Sequence, residues 1–539
     1  MLLEDSSVNL LHARFCAPCR ARSLRTRLFV EALENIRKSE FDPRAPWLWS
    51  LGRRASRIKR MRVRIRDVSF GVSDCVTRLP FKFGMNTMTW APTLTARVVL
   101  ETEAGEAVGH SADLLVPKWF EKDPKKSLED DVTGLMASAV AAGELAKSGP
   151  GAGNSETVFE LWWRMYNGRV HGRPQAAADR LLRGFGVALV ERAVIDAACR
   201  AGGVSFFDAL KTDLLGVRPG LVYPELEDWS LAKSLPDKPV DRVHLRHTVG
   251  LVDALRSTDL EPGEGPDDGL PEALEQDIEA FGLTWFKLKL CGASEVDLPR
   301  TLAFGQVLDE QVGDDFHLTV DGNEQFPSLD KLVSFLGQLD QEPTGRKLLE
   351  RLVCIEQPLP RAISLDESSR RGLATLGDFA PVILDEADHG IEAFPRALEL
   401  GYRGVSMKNC KGVLRALLHR GLCERSAAQG AFQSGEDLTN LGVLALQQDL
   451  TTAAALGLKH VERNGHHYFK GLGHLSRAEA TDAAKMHPDL WTGNGEETHL
   501  RIDDGQLDLS SLQGIGYGYS SAIDFDSRTP LADWRFEEH

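Results

Sequence analysis

Trp285-Phe286-Lys287-Leu288-Lys289-Leu290 and His317-Leu318-Thr319-Val320-Asp321 are the segments of the sequence that decide the fold. A helical pattern lies between them, which is typical of a strand–helix–strand unit with parallel strands. Parallel strands are buried on both faces and are expected to be almost entirely apolar. Charged residues within or directly after these two strands therefore call for a functional explanation.

The same alternation of β-rich and helical segments continues on both sides of this unit. The predicted strands are residues 243–249, 285–290, 317–320, 352–355, 382–384, 404–407, 431–433 and 458–461. Eight strands over somewhat more than two hundred residues are the number and size of a β/α barrel. The sequence thus predicts an α/β fold with a barrel domain over residues 236–475.

Side chains alternate between the two faces of a strand, so the apolar residues of each strand indicate which neighbours face the barrel interior. Six charged residues face inward at the carboxyl ends of five consecutive strands: Lys287, Lys289, Asp321, Glu356, Asp385 and Lys408. Lys411 has the opposite parity and is the weaker candidate. Barrel active sites lie at this end. Converging carboxylates repel one another unless a cation lies among them, and oxygen ligands without His or Cys favour Mg²⁺.

The flanking segments have a different character. Residues 61–109 are strand-like, with an interruption at 79–91 that predicts a loop, and helical patterns follow at 127–145, 158–166 and 175–201. This order indicates a separate α+β domain over residues 61–235. Residues 476–539 contain a predicted hairpin at 500–509, turning at Asp503-Asp504-Gly505, and are too short for a domain of their own. We expect this tail to pack back on the first domain.

The first sixty residues stand apart from the rest. They hold thirteen Lys or Arg and six Asp or Glu, a net charge of +7 in a chain of −16. Cys16-Ala17-Pro18-Cys19 has no second cysteine pair with which to hold zinc. An Arg-rich targeting segment is one interpretation, although the acidic residues count against it. We expect residues 1–60 to be a disordered or non-native extension, with Met61 as the native start.

The composition excludes several classes of partner. A formal net charge of −16 argues against nucleic acid or an anionic membrane as the main partner. No uninterrupted apolar segment approaches the ~20 residues of a membrane helix. The eight cysteines, several within apolar stretches, are typical of buried reduced thiols and predict a cytoplasmic setting.

The ordered motifs resemble the mandelate racemase and muconate lactonizing group of the enolase superfamily. They are Lys287-Leu288-Lys289, Asp321-Gly322-Asn323, Ile355-Glu356-Gln357-Pro358, Leu384-Asp385-Glu386 and Ser406-Met407-Lys408. The resemblance implies a (β/α)7β-type TIM barrel with an α+β capping domain formed by N-terminal and C-terminal segments. It also implies a homo-oligomer.

The resemblance further implies a reaction. Asp321, Glu356 and Asp385 would bind Mg²⁺, while Lys289 and Lys408 would face opposite sides of the α-carbon of a small carboxylate substrate. Lys287 would favour the neutral amine of Lys289 through like-charge repulsion. Removal of the α-proton would give an enediolate whose charge Mg²⁺ stabilises. The outcome, by an isomerase or a lyase, would be racemisation or epimerisation, dehydration, or cycloisomerisation.

Further residues are candidates for contact with the substrate. They are Asn323 beyond the third strand, His247 in the first, Glu436 and Asp437 after the seventh, and Phe83 and Asn86 in the predicted loop 79–91. Each has a structural alternative: a core histidine for His247, a helix N-cap for Asp437, and packing on the barrel rim for the loop residues.

Two other functions compete with this interpretation. A Schiff-base barrel enzyme would use Lys289 or Lys408 as a nucleophile, but it leaves the three carboxylates without a role. A non-catalytic barrel would bind Mg²⁺ or a partner, and neutralising either lysine would then change no activity.

Overall fold

The computed structural model describes residues 60–149, 154–171, 177–261, 263, 265–266 and 268–537. Residues 1–59 lie outside these ranges, and so do the predictions made for the basic N-terminal segment. The described chain forms a β/α barrel and an α+β capping domain that lies against it.

The capping sheet is an antiparallel meander of β1 (Arg62–Phe83), β2 (Asn86–Thr102) and β3 (Gly105–Leu114). The predicted loop at 79–91 is wrong, because β1 and β2 pair up to the tip of the hairpin at Phe83 and Asn86. A register shift between Val76 and Phe81 accommodates Pro80, which cannot donate to the sheet. The short strand β4 (Glu156–Thr157) adds to the other end of β1.

Three helices follow the sheet: α1 (Leu128–Lys147), α2 (Val158–Arg169) and α3 (Ala177–Gly202). Helices α1 and α3 pack on the sheet, and α2 packs on both of them. Ser127 begins α1 in a capping box with Asp130, which satisfies backbone groups at the helix start. Strand β3 approaches α3 closely at Gly109, where a Cβ would lie 2.2 Å from a backbone oxygen of α3. Two shorter helices, α4 (Phe206–Lys211) and α5 (Leu231–Ser234), lead to the barrel.

The barrel consists of eight parallel strands, as predicted. They are β5 (Arg242–Val249), β6 (Trp285–Lys289), β7 (His317–Asp321), β8 (Leu352–Glu356), β9 (Val382–Leu384), β10 (Gly404–Met407), β11 (Phe432–Gly435) and β12 (His460–Arg463). Neighbours in sequence are neighbours in the sheet, and parallel pairing of β12 with β5 closes the barrel. We refer to this junction of the first and last strands as the seam.

Helices alternate with the barrel strands. They are α6 (Leu274–Phe281), α7 (Ser294–Gln311), α8 (Leu329–Leu339), α9 (Pro343–Glu350), α10 (Ser369–Leu376), α11 (Ala393–Leu400), α12 (Val413–Arg425) and α13 (Leu444–Leu456). Two of them, α8 and α9, occupy the long connection between β7 and β8. Helices α6 and α13 end at Gly282 and Gly457, whose φ angles of 63° and 74° suit glycine. The described architecture is therefore (β/α)7β with one additional helix.

The C-terminal segment contains α14 (Gly465–Tyr468), α15 (Arg477–Met486), β13 (Trp491–Thr492), β14 (His499–Leu500), β15 (Gln506–Asp508) and β16 (Thr529–Pro530). The predicted hairpin at 500–509 is wrong in its pairing: β14 pairs with β13, and β15 pairs antiparallel with β5. Only the turn remains, as a bridge between Asp503 and Gln506. β16 pairs with β1, so both ends of the described chain build the capping domain, as predicted.

Within the described ranges, no helix combines the length and the apolar character needed to cross a membrane.

Candidate active site

The structure brings the six inward-facing residues of the sequence analysis together at the carboxyl end of the barrel. Lys287, Lys289, Asp321, Glu356, Asp385 and Lys408 are each between 0% and 6% exposed. Strand register places three of them at one level, because Lys289 pairs with Asp321 and Asp321 pairs with Glu356. Asp385 and Lys408 directly follow β9 and β10.

Lys287 lies at the centre of four carboxylates. Its Nζ is 2.7 Å from Glu356 Oε2, 2.9 Å from Glu436 Oε2, and 3.0 Å from both Asp321 Oδ2 and Glu462 Oε2. Burial alone would lower the pKa of Lys287, but the carboxylates, with Asp321 first, hold it well above its ordinary value. The charge of Lys287 is thus compensated by carboxylates on several sides, while its predicted effect on Lys289 stays a prediction.

Lys289 and Lys408 lie on opposite walls of the barrel. They extend from β6 and from the end of β10, and four strand-to-strand steps separate these strands in either direction around the closed sheet. Lys289 Nζ donates to Asp321 Oδ2 at 2.7 Å, and Lys408 Nζ donates to Asp385 Oδ2 at 2.6 Å. Burial lowers the pKa of Lys408, yet the Asp385 charge beside it holds that pKa well above the usual range. Each lysine therefore contacts one carboxylate of the triad Asp321, Glu356 and Asp385.

The triad has the ligand chemistry of a magnesium site. Among the described residues, Glu356 Oε1 and Asn323 Oδ1 have no hydrogen-bond partner, while Glu356 Oε2 forms the ion pair with Lys287. Burial and the charges of Asp321 and Glu436 raise the pKa of Glu356 well above its usual range. Carboxylate oxygens at the ends of three adjacent strands are the ligands that a hard divalent cation prefers. The residues present fit Mg²⁺.

Two further charged residues of the site were not predicted from the sequence. Glu462 on β12 and Arg246 on β5 both face the interior, and Arg246 donates to Glu436. Arg246 interrupts a predicted parallel strand and Glu462 directly follows one, so the rule that selected Lys287 and Asp321 was available to find them. Lys411 reaches Asp385 as well, with its Nζ 3.3 Å from Oδ1 and 2.6 Å from Ser406 Oγ, because a 3-10 turn at Asn409–Lys411 follows β10.

The capping domain closes the barrel mouth with the segment between β3 and α1. The ring of Trp119 lies under Lys408, 4.6 Å from its Nζ. Lys122 Nζ is 2.6 Å from Glu324 Oε2 and 3.2 Å from Glu386 Oε1. Arg361 donates to the carbonyl oxygens of Trp119 and Phe120, each at 2.8 Å, which fixes the segment to the barrel. No strand pattern in the sequence indicated these contacts.

The predicted substrate contacts divide into two groups. Asn323 lies beside the triad, because its backbone N–H donates to Asp321 Oδ1 at 2.8 Å. The φ angle of Asn323 is 41°, in the left-handed region that asparagine tolerates. Glu436 lies within the barrel, where it contacts Lys287 and Arg246. These two residues are brought together with the triad.

The other four predicted contacts have other surroundings. Phe83 packs on Phe81 with ring centroids 4.9 Å apart, and Asn86 donates to the Pro117 carbonyl oxygen at 3.2 Å. Asp437 lies 3.1 Å from Arg463. His247 contacts His466 on the outer side of the barrel wall, away from the triad.

Neither a protein-family model nor a curated protein matches the sequence. Solved structures do match. A mandelate racemase/muconate lactonizing protein from Herpetosiphon aurantiacus aligns with a TM-score of 0.55 at 15% identity, over 85% of this chain and 99% of that one. The chain has the fold of the mandelate racemase and muconate lactonizing enzymes.

Two further structures have the same fold. A muconate lactonizing enzyme from Pseudomonas fluorescens, complexed with muconolactone, aligns with a TM-score of 0.51 at 17% identity, over 85% of this chain and 97% of that one. A dipeptide epimerase from Cytophaga hutchinsonii, complexed with Mg and the dipeptide D-Ala-L-Val, aligns with a TM-score of 0.52 at 13% identity, over 85% and 96%. At these identities the similarity establishes the fold.

Proposed function

We propose that this chain is a magnesium-dependent enzyme that moves the proton on the carbon next to a substrate carboxylate. The observation that carries the proposal is the pair Lys289 and Lys408, buried on opposite barrel walls, with the triad Asp321, Glu356 and Asp385 between them. Two amines that face each other across a small space can take a proton from one side of a carbon and return it on the other.

The triad would hold Mg²⁺ and Asn323 lies beside it. Bound Mg²⁺ would neutralise the substrate carboxylate and offset the negative charge that develops when the α-proton leaves. Lys289 and Lys408 are held in place by their contacts with Asp321 and Asp385, so their Nζ atoms are positioned before the substrate enters. Preorganised groups of this kind lower the cost of the chemical step.

The capping segment supplies the closed surroundings that this reaction needs. Trp119 covers Lys408, and Lys122 is anchored on Glu324 and Glu386 at the rim. Exclusion of water strengthens each charge interaction inside the site. The substrate class is a small carboxylic acid, in keeping with the muconolactone and the dipeptide held by two proteins of this fold.

Proton exchange with solvent tests the proposal whatever the final product. Incubation with Mg²⁺ in D₂O, against a panel of hydroxy acids, sugar acids, N-acyl amino acids and dipeptides, should lead to deuterium at the α-carbon of one class. Lys289→Ala and Lys408→Ala should each reduce the exchange rate by roughly 10²- to 10⁴-fold, the usual contribution of a general acid or base. Mass spectrometry of the recovered acid measures the exchange.

The control is Lys347→Ala, which removes a lysine that pairs with Asp309 and Asp314 at the surface. It should exchange at the wild-type rate. Trapping of the protein on a substrate by borohydride would instead establish a Schiff-base enzyme. Exchange that persists without Mg²⁺, or in both lysine variants, would refute the proposal.

A further inference from the structure

A second group of metal-ligating side chains lies on the outer side of the barrel wall. Arg246 and Thr248 of β5 contact Glu436 and Glu462 in the interior, so His247 between them faces outward. There it meets Asp277 of α6 and His466 of α14. One nitrogen from each imidazole and one oxygen of Asp277 lie within 4.8 Å of one another.

The contacts within this group are close. His247 Nδ1 and His466 Nε2 are 3.0 Å apart, and His247 Nε2 is 3.9 Å from Asp277 Oδ2. A fourth residue, His467, places its Nδ1 2.9 Å from the same Asp277 oxygen. Two nitrogens bound to one tetrahedral zinc ion at the usual bond length lie about 3.3 Å apart, close to the separation of His247 and His466.

Asp277 is a buried carboxylate with an unusual set of neighbours. Asp277 is 0% exposed, and in the described part of the chain neither a lysine nor an arginine forms an ion pair with it. Among the described residues, Asp277 Oδ1 has no hydrogen-bond partner. Buried charges are normally paired or bound to a metal, because an isolated one is costly. The site therefore contains an unsatisfied carboxylate oxygen that points to a cation.

We propose that His247, Asp277 and His466 bind one transition-metal ion of the zinc type, with His467 orienting Asp277. Two imidazoles and a carboxylate favour zinc, cobalt or nickel over magnesium, which prefers oxygen ligands alone. A histidine that hydrogen-bonds a ligating carboxylate is a usual outer partner of such an ion. This proposal concerns different residues from the magnesium site and does not depend on the proposed reaction.

The location gives the ion a structural role. His247 belongs to the first barrel strand and His466 to the helix that directly follows the last one, and the two strands pair at the seam. Asp277 lies on the first barrel helix. A single ion would therefore link the first strand and the first helix of the barrel to the helix that follows its last strand. His467, the outer partner of Asp277, lines a cavity of about 430 Å³ at the surface.

Cobalt binding tests the proposal, because Co²⁺ in a nitrogen-containing site absorbs visible light. The full chain is stripped with a chelator, saturated with Mg²⁺ to fill the oxygen site, and titrated with Co²⁺. We expect one equivalent to bind and a visible absorption band to appear. His466→Gln and Asp277→Asn should each weaken this binding by roughly 100-fold or more, since loss of even an outer partner costs 10- to 100-fold. Zn²⁺ should displace Co²⁺, which abolishes the absorption band, and should raise the midpoint of thermal unfolding.

The matched control is His499→Gln, since His499 lines the same small apolar pocket as His466 but is outside the group. It should bind Co²⁺ as the wild type does. Circular dichroism in the presence of chelator shows whether each variant is folded, and half-buried His466 is the safer position if Asp277→Asn fails to fold. The variant Glu356→Gln should keep the band, which separates this site from the magnesium site.

Two results would overturn the proposal. One is that no Co²⁺ binds once Mg²⁺ is saturating, which would mean that a protonated His467 alone neutralises Asp277. The other is that the band survives in both His466→Gln and Asp277→Asn. Neither result would affect the proton-exchange experiment, which depends on Lys289 and Lys408.

Discussion

The two sides of strand β5 stabilise buried carboxylates in different ways. On the inner side, Glu436 and Glu462 contact Arg246, Thr248 and Lys287. On the outer side, to which the intervening His247 points, the ion-pair partners of Asp277 in the described part of the chain are imidazoles. Both groups are buried, so the difference lies in the partners.

This difference explains why the two sides suit different ions. The inner group combines acids with the cations of Arg246 and Lys287, which the acids stabilise, and its carboxylate oxygens suit a hard cation. The outer group has one acid and ligands that are neutral when they bind a metal, so a transition metal supplies the missing positive charge. Three experiments test this contrast, from the largest expected effect to the smallest.

Lys287→Met should have the largest effect on stability. The variant leaves four buried carboxylates without their shared cation, and removal of one partner from a buried ion pair costs about 3–5 kcal/mol. Urea unfolding should show this loss in the free energy of unfolding. The comparison is Lys347→Met, whose lysine pairs with two acids at the surface and should lose about 1 kcal/mol or less. Equal effects of the two variants would show that Lys287 does not hold the inner cluster together.

Glu356→Gln should remove the response of the protein to Mg²⁺. At a 100-fold excess over its Kd, a ligand that binds only the folded state adds about 2.7 kcal/mol to the free energy of unfolding. The wild type should gain this stability from Mg²⁺ and the variant should gain none. Glu367→Gln, which changes an exposed glutamate at the surface, is the control and should respond fully. A full response of Glu356→Gln would exclude this residue as a ligand.

Much of the inner side could be predicted from the sequence, and little of the outer side. Parallel strands give a strict expectation of apolar residues, so each charge in them is conspicuous, and the eight strands and the inward direction of Lys287, Asp321 and Lys408 follow from it. The same rule applied to Arg246 and Glu462 would have extended the cluster. The six inward residues are found together, while their chemical roles stay predictions.

The remaining features depend on contacts between distant segments. His466 lies far from His247 and Asp277 in sequence, and no periodicity links the three residues. Trp119 and Lys122 reach the site from the capping domain by tertiary packing alone. The hairpin at 79–91 was predicted as a loop because Pro80 and Gly84 usually interrupt strands, but a register shift and a tight turn absorb both.

Thr248→Val is the smallest and most local test, because Thr248 is adjacent to His247 but faces the other side of the wall. Its hydroxyl donates to Glu462 Oε1 at 2.7 Å, and loss of a buried hydrogen bond to a charged group costs about 2 kcal/mol. Thr301→Val is the matched control, since the buried Thr301 hydroxyl has no hydrogen-bond partner among the residues that the structure describes and its loss should be nearly neutral. The Co²⁺ band should be unchanged in Thr248→Val, because the hydroxyl and the imidazole project from opposite faces of β5. If the band weakened along with the stability, the two sides of the strand would be coupled, and the inner and outer groups would have to be treated as one site.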